Sequence, residues 1–204
     1  MSDYGFPNRF RADLVARKRS SNWELVAGDA REVKLPRKYD VVTCEMLSTW
    51  CIVEPQVSVI RAAKERIAAS HASIIPSRVF NLIELGYTPF GVGPVQVPTP
   101  HLTLMGVRAP TIISLTQVSH VIDFTTGQGV EDNITGAANV KVLVDGLANW
   151  VRLTSLVELA RGINWYSSDT LMPPMVYPLR ESTSVGAGTK MVVGYACRYG
   201  HGQS

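Results

Sequence analysis

Two glutamates, Glu45 and Glu54, stand at the two ends of the short segment MLSTWCIV and have the residue type and spacing that most clearly suggest chemistry. An apolar, strand-like stretch over 39–44 precedes them, and Pro55, a residue that is tolerated in the first turn of a helix, follows. Two carboxylates at the ends of one loop can face each other across a small cation. A planar guanidinium suits such a pair, because its fork of N–H donors matches carboxylates bidentately.

The same two residues also allow a purely structural interpretation. Glu54 immediately precedes a predicted helix, whose N-terminus favours negative charge, and Glu45 ends a strand at the surface. Trp50, within the loop, either forms a wall of a substrate pocket or packs in the core. The sequence alone leaves both pairs of alternatives open.

The elements that must position this loop belong to an α/β pattern. Short apolar strands are predicted over 23–27 and 39–44, and a helix over 55–70 with apolar residues at helical spacing. The first strand delivers Gly28, Asp29 and Ala30 to the carboxyl edge of the sheet, where such folds bind ligands. A basic amphipathic helix is predicted further upstream, over 9–19.

The pattern changes near residue 75 to a period of two, with turns rich in glycine and proline. We therefore expect two domains, a partial α/β domain over 1–74 and a β-barrel or sandwich over 75–204. The strands predicted in the second domain cover 79–85, 111–124, 140–144, 151–159 and 191–199.

Composition excludes several classes of function. The chain has 204 residues, a net charge of +3 and 46% hydrophobic residues, and it contains no apolar run of about 20 residues for a membrane span. With no signal-peptide core, we expect a cytoplasmic protein. The three cysteines and four histidines lack the spacing of metal ligands, so no metal site is predicted. The basic residues over 9–19 favour a solvated helix face over a nucleic-acid site.

The run GDAREVKLPRKYDVVTCEMLSTWCIVE (28–54) resembles the protein arginine methyltransferases, S-adenosylmethionine enzymes in which a Rossmann-like domain precedes a β-barrel. In that family two glutamates nine residues apart flank a double-glutamate loop, and Glu45 and Glu54 have this spacing. The segments ASHASIIPSRVFNLIELG (69–86) and GINWYSSDTLMPPMVYPL (162–179) are similar to the crossing into the barrel and to the barrel loop over the substrate pocket.

The resemblance implies a function and a set of site residues. Glu45 and Glu54 would be the catalytic pair that orients a guanidinium, and Asp29 and Ala30 would lie beside the adenine of S-adenosylmethionine. Trp50 and Trp165 would line the substrate pocket. The implied reaction is methyl transfer to a nitrogen nucleophile on a protein or a small molecule.

Two departures from the family pattern bear on this expectation. Asn164 stands where many members have a histidine, and the chain contains no glycine-rich cofactor loop in the required context. We therefore expect the N-terminal cofactor-binding segment to be missing, and the enzyme to be incomplete as an isolated chain. Completion would come from a homo-oligomer or from a second chain carrying the glycine-rich loop. The alternative is a non-catalytic, methyltransferase-like binding or scaffold protein.

Overall fold

The computed structural model describes residues 26–89, 91–92, 95–96, 98–103, 111–166 and 172–201. The predicted basic helix over 9–19 lies outside these residues, as do residues 23–25 of the first predicted strand. Val26 and Ala27, the rest of that strand, belong to no strand. Within the described ranges, no helix has both the length and the apolar character to cross a membrane.

The N-terminal part of the described chain is a βαβ unit. Strand β1 (Tyr39–Thr43) runs parallel to strand β2 (Ala68–Ile75), and helix α1 (Gln56–Arg66) connects them. The buried face of α1 consists of residues at helical spacing, including Val57, Ile60 and Ala63. The predicted strand over 39–44 and the helix start at Pro55 are confirmed.

The helix is shorter than the sequence predicts, since it ends at Arg66 and not at Ser70. Residues from Ala68 onward form β2, which provides β1 with a hydrogen-bonding partner. The β-branched Ile74 and Ile75 favour a strand at its end, and pairing with β1 decides the conformation of the rest. Strand β2 was not predicted, because its small and polar residues show no two-residue periodicity.

The rest of the described chain is antiparallel β-structure. Its strands are β3 (Arg78–Tyr87), β4 (Gly91–Val92), β5 (Val95–Gln96), β6 (His101–Leu102), β7 (Thr111–Ile112), β8 (Gln117–Asp123), β9 (Asn133–Lys141), β10 (Gly146–Ala160), β11 (Ile163–Tyr166), β12 (Met175–Val185) and β13 (Lys190–Arg198). The main sheet has the strand order β6-β12-β10-β3-β7, and in addition β8 pairs with β3 and β11 pairs with β10. Two further pairs are β9–β13 and β4–β5.

Two of the strand predictions differ from this arrangement, and strand β12 was missed. The stretch over 111–124 is two strands, β7 and β8, and the stretch over 140–144 is only the end of β9. Strand β12 was not predicted, because proline interrupts its pattern. Pro178 lies opposite Trp150 at a shift of register between β10 and β12, a place where a missing backbone N–H is tolerated.

Two buried clusters hold these elements together. One lies between the main sheet and the β9–β13 pair, and it contains Trp50 and Val140. The other joins α1 and β2 to the main sheet through residues such as Ile60, Ile74 and Val157. The fold is thus part of an α/β sheet followed by an antiparallel β-sheet assembly, the fold class that the sequence predicts.

Candidate functional site

The double-glutamate loop, residues 45–54, connects the end of β1 to the start of α1. Both glutamate side chains are exposed. The Glu45 carboxylate accepts a hydrogen bond of 3.3 Å from the backbone N–H of Leu47. Among the described residues neither carboxylate forms an ion pair. Within the described ranges, the loop therefore leaves both carboxylates exposed to solvent.

The backbone on both sides of Glu45 is held by the side-chain amide of Gln56, the first residue of α1. The amide oxygen accepts a hydrogen bond of 2.7 Å from the N–H of Met46, and the amide nitrogen donates one of 2.9 Å to the carbonyl of Cys44. Gln56 is fully buried, with 0% of its surface exposed. One side chain thus fixes the two peptide groups that flank the first glutamate.

The backbone at Glu54 is held in a similar way from the other end of the loop. The hydroxyl oxygen of Ser48 accepts hydrogen bonds of 3.1 Å from the N–H groups of both Val53 and Glu54. The carbonyls of Cys51 and Ile52 accept hydrogen bonds of 3.0 Å from the N–H groups of residues 200 and 201. The second half of the loop is therefore tied to the C-terminal segment.

Trp50 anchors the middle of the loop in the core and is only 1% exposed. Its indole N–H donates a hydrogen bond of 3.0 Å to the carbonyl of Leu82 on β3. Trp50 and Cys51 have φ angles of 59° and 55°, in the left-handed region that non-glycine residues rarely adopt. Such a conformation persists only where the surroundings over-determine it. Of the two interpretations of Trp50, the described residues show the packing role.

A buried polar network fixes the same point of the loop to the main sheet. The backbone N–H of Trp50 donates to the hydroxyl of Ser155, which donates in turn to the Asn81 amide oxygen at 2.9 Å. This arrangement turns the amide nitrogen of Asn81 toward Nε2 of His120, 2.8 Å away. His120 is therefore neutral, with its proton on Nδ1 facing Ser119 Oγ at 3.0 Å. Burial lowers the pKa of His120 to about 4.

The capping interpretation of Glu54 stays open. Pro55 is the N-cap residue of α1, and no side-chain hydrogen bond caps the helix there. Glu54 immediately precedes this N-cap, where a negative charge is favoured without a hydrogen bond.

Asp29 and Ala30 lie in a turn that is fixed at the opposite end of α1. The Asp29 carboxylate accepts hydrogen bonds from the backbone and the guanidinium of Arg31, which lower the pKa of Asp29 to about 2. The guanidinium of Arg66, the last residue of α1, donates to the backbone carbonyls of Arg31 and residue 32. An 11-residue helix is about 16 Å long, and Glu54 precedes its first turn. The turn is thus held at the C-terminal end of α1, whereas Glu54 precedes its N-terminal end.

Trp165 lies on β11 and is half-buried, opposite Val157 of β10. It packs against the cluster that also contains Leu47 and Cys51 of the double-glutamate loop. Asn164, at the position of the family histidine, is exposed. Residues 167–171 of the segment that resembles the barrel loop over the substrate pocket lie outside the described residues.

A surface cavity of about 370 Å³ runs along the outer face of α1, and its lining includes Arg31, next to Ala30, and Pro55, next to Glu54. Its charged residues are largely paired: Arg61 is 2.7 Å from the carboxylate of Asp132 and also donates to the carbonyl of Val130. None of the six predicted site residues lines it. In the part of the chain that the structure describes, no three His, Cys, Asp or Glu side chains cluster as metal ligands.

Three residues that support the site, Ser48, Gln56 and Ser155, were not predicted from the sequence. The partners of Gln56 lie ten or more residues away, and Ser155 meets Trp50 across 105 residues. No local signal marks Gln56, because a polar residue is ordinary in a first turn that also contains Ser58.

Comparison with known proteins agrees with the fold. The chain superposes with a TM-score of 0.71 on protein arginine methyltransferase 10 of Arabidopsis thaliana, at 14% identity, covering 92% of this chain and 68% of the other. With the Trypanosoma brucei PRMT1 enzyme–prozyme heterotetrameric complex with AdoHcy, the TM-score is 0.68 at 12% identity, covering 81% and 60%. The chain therefore has a protein arginine methyltransferase-like fold.

Comparison of sequences adds one relative and no function. An uncharacterized protein of Methanocaldococcus jannaschii, MJ1452, is 24% identical over 167 residues, which cover 81% of this chain. The matched region spans 60% of the length of that protein. No protein-family model matches the chain.

Proposed function

We propose that the chain is the substrate-binding part of an S-adenosylmethionine-dependent methyltransferase that acts on a guanidinium or a similar nitrogen nucleophile. Glu45 and Glu54 bind and orient the cationic group, so that a nitrogen lone pair faces the methyl donor. Catalysis then rests on proximity and on electrostatic stabilisation. One observation carries the proposal: two exposed carboxylates, neither in an ion pair with a described residue, flank a loop whose backbone is fixed at both ends.

The rigidity of this loop is what the chemistry requires. Bringing two like charges close together costs energy, which a bound cation offsets. A loop that is already ordered pays less conformational entropy when the cation binds. The left-handed conformation of Trp50 and its buried contacts supply that order from the main sheet.

We take S-adenosylmethionine as the cofactor because the fold is like that of the protein arginine methyltransferases. We assign Asp29 and Ala30 to the adenine side, and Trp50 and Trp165 to the substrate side, Trp50 acting from the core as a support of the loop. Because Asp29 is bound to Arg31, cofactor binding would have to compete with or rearrange this ion pair. The 1–74 and 75–204 divisions are the corresponding domains, and the change from the parallel to the antiparallel sheet between β2 and β3 supports them.

We further propose that a second polypeptide segment completes the parallel sheet. Among the described residues β1 pairs with β2 alone, and Val41 on β1 is 58% exposed. Parallel sheets are normally covered on both faces and extended beyond two strands. In this proposal the segment belongs to a partner polypeptide that carries the glycine-rich loop.

A non-catalytic scaffold is the second candidate function. The position of the Asp29 turn, at the far end of α1 and occupied by Arg31, favours it. One of the similar structures is itself a complex of an enzyme with a prozyme. Under this alternative the glutamates bind a partner's arginine side chain without methyl transfer.

The two candidates are separated by transfer of a radioactive methyl group. The chain is incubated with S-adenosyl-L-[methyl-³H]methionine and an arginine-containing peptide. The reaction is run with the chain alone and with the part of the Methanocaldococcus jannaschii protein that lies outside the matched region. Incorporation that disappears in both Glu45→Gln and Glu54→Gln supports the enzyme. Peptide binding without incorporation in any mixture supports the scaffold.

A further inference from the structure

We propose that Gln56 and Ser48 are positioning residues that set the selectivity of the double-glutamate loop for a guanidinium over an ammonium group. The inference rests on the proposed function, since it takes Glu45 and Glu54 as the cation-binding pair. It assigns a role to two neutral side chains that touch neither the substrate nor the cofactor.

The two side chains support the glutamates reciprocally. Gln56, two residues beyond the second glutamate, holds the peptide groups on both sides of the first. Ser48, three residues beyond the first glutamate, holds the N–H groups of Val53 and of the second glutamate. A residue near the second glutamate therefore fixes the backbone at the first, and a residue near the first fixes the backbone at the second. A change in the spacing between the two glutamates would break these hydrogen bonds.

The bonds of Gln56 have few replacements. The residue is 0% exposed, so water does not reach its amide to substitute for a lost partner. Without the amide, the carbonyl of Cys44 and the N–H of Met46 lose these partners in a partly buried site. The backbone at Glu45 would then adjust to find new ones, and the carboxylate would move with it.

Fixed spacing matters more for a guanidinium than for an ammonium group. A guanidinium presents its N–H donors in a rigid plane, so two carboxylates must be held at a matching distance and angle. An ammonium group is a compact charge on a flexible stem with rotatable donors, and it tolerates a wider range of carboxylate positions. Loosening the support should therefore weaken arginine binding more than lysine binding.

The test compares two peptides that are identical except for a central arginine or lysine. Their dissociation constants are measured by calorimetry with the wild-type chain, Ser48→Ala and Gln56→Met. We expect the preference for arginine to fall by roughly tenfold or more in each variant, as for a small misplacement of binding groups. Backbone amide exchange at Met46 in Gln56→Met, and at Glu54 in Ser48→Ala, should become faster.

Val57→Ala is the control, because this buried residue of α1 has an apolar side chain, so its truncation removes no hydrogen bond to the backbone of the loop. It should lose stability yet keep the arginine preference of the wild type. If the wild type prefers arginine and both variants keep that preference, the positioning role is wrong and the proposed function stands. If the wild type binds the arginine and lysine peptides equally well, the positioning role and the proposed binding of a guanidinium are both wrong. Should Gln56→Met fail to fold, Ser48→Ala decides alone, since Ser48 is only half-buried.

Discussion

The backbone N–H of Trp50 donates a hydrogen bond of 2.9 Å to the side-chain oxygen of Ser155, which lies 105 residues later on β10. This bond joins the double-glutamate loop to the centre of the main sheet. Because Ser155 also donates to Asn81, one buried hydroxyl serves the loop and the sheet together. The position of the glutamates thus depends on a part of the chain that lies far from them in sequence.

Removing that hydroxyl should be costly. Ser155→Ala leaves the N–H of Trp50 and the amide oxygen of Asn81 without this partner in a buried site, and we expect a loss of about 1–3 kcal/mol in the free energy of unfolding. Urea denaturation measures it. Ser184→Ala, at an exposed serine of β12, is the control and should change stability by less than about 0.5 kcal/mol. Equal effects in the two variants would contradict a special role for Ser155.

Truncating Trp50 should separate its two possible roles. If the indole packs in the core, Trp50→Ala should lower the free energy of unfolding by about 3–5 kcal/mol, because a large buried side chain is replaced by a cavity. A loss below about 1 kcal/mol, together with weakened peptide binding, would instead indicate a wall of the substrate pocket. Chemical denaturation and peptide titration of the same preparation provide both measurements.

The stability of the chain should depend on pH through His120. Its pKa is about 4 in the folded protein and 6.5 ordinarily, so between these values the unfolded chain binds a proton that the folded chain does not. The free energy of unfolding should therefore fall as the pH drops from about 6.5 to about 4, by up to about 3 kcal/mol.

His120→Gln provides the reference for that pH dependence. The difference in unfolding free energy between the wild type and this variant should shrink progressively as the pH is lowered through the same range. His71→Gln removes an exposed histidine that pairs with Asp40, and it should leave the steep part of the curve in place. A wild-type curve parallel to that of His120→Gln would show that His120 titrates normally.

The docking of the C-terminal segment on the loop can be tested at one glycine. Gly200 has a φ of 70°, and a Cβ added there would lie 3.0 Å from the Cα of Pro55. Gly188 has a similar φ of 86° with no atom near an added Cβ. Both Gly→Ala variants pay the conformational cost of about 1 kcal/mol, and Gly200→Ala should lose measurably more in urea denaturation. Identical losses would mean that the segment does not pack there.

Some of the site could be predicted from the sequence because the signal is local. The spacing of Glu45 and Glu54, the strand before them and Pro55 after them are all contained in about twenty residues, and the structure has β1 and α1 where these features predict them. The end of α1 was placed wrongly because Ala68–Ile75 is decided by pairing with β1, which is not a local preference.

The supports of the loop were not predictable for the same reason. The burial of Trp50 depends on Leu82 and Ser155 of the main sheet, and a left-handed backbone at a tryptophan has no signature in a single sequence. Gln56 resembles any polar residue in a first helical turn until its two backbone partners are in place. The sequence therefore indicates which residues carry charge, and the tertiary contacts determine how firmly they are held.

The central claim, that Glu45 and Glu54 together bind a guanidinium, is tested most directly by calorimetric titration of an arginine peptide into the wild type, Glu45→Gln and Glu54→Gln. Each substitution replaces an exposed side chain with a neutral one of the same shape, so folding should be preserved. We predict that each variant binds the peptide at least about tenfold more weakly, the loss of one charge-assisted hydrogen bond. Wild-type affinity in both variants would contradict the claim.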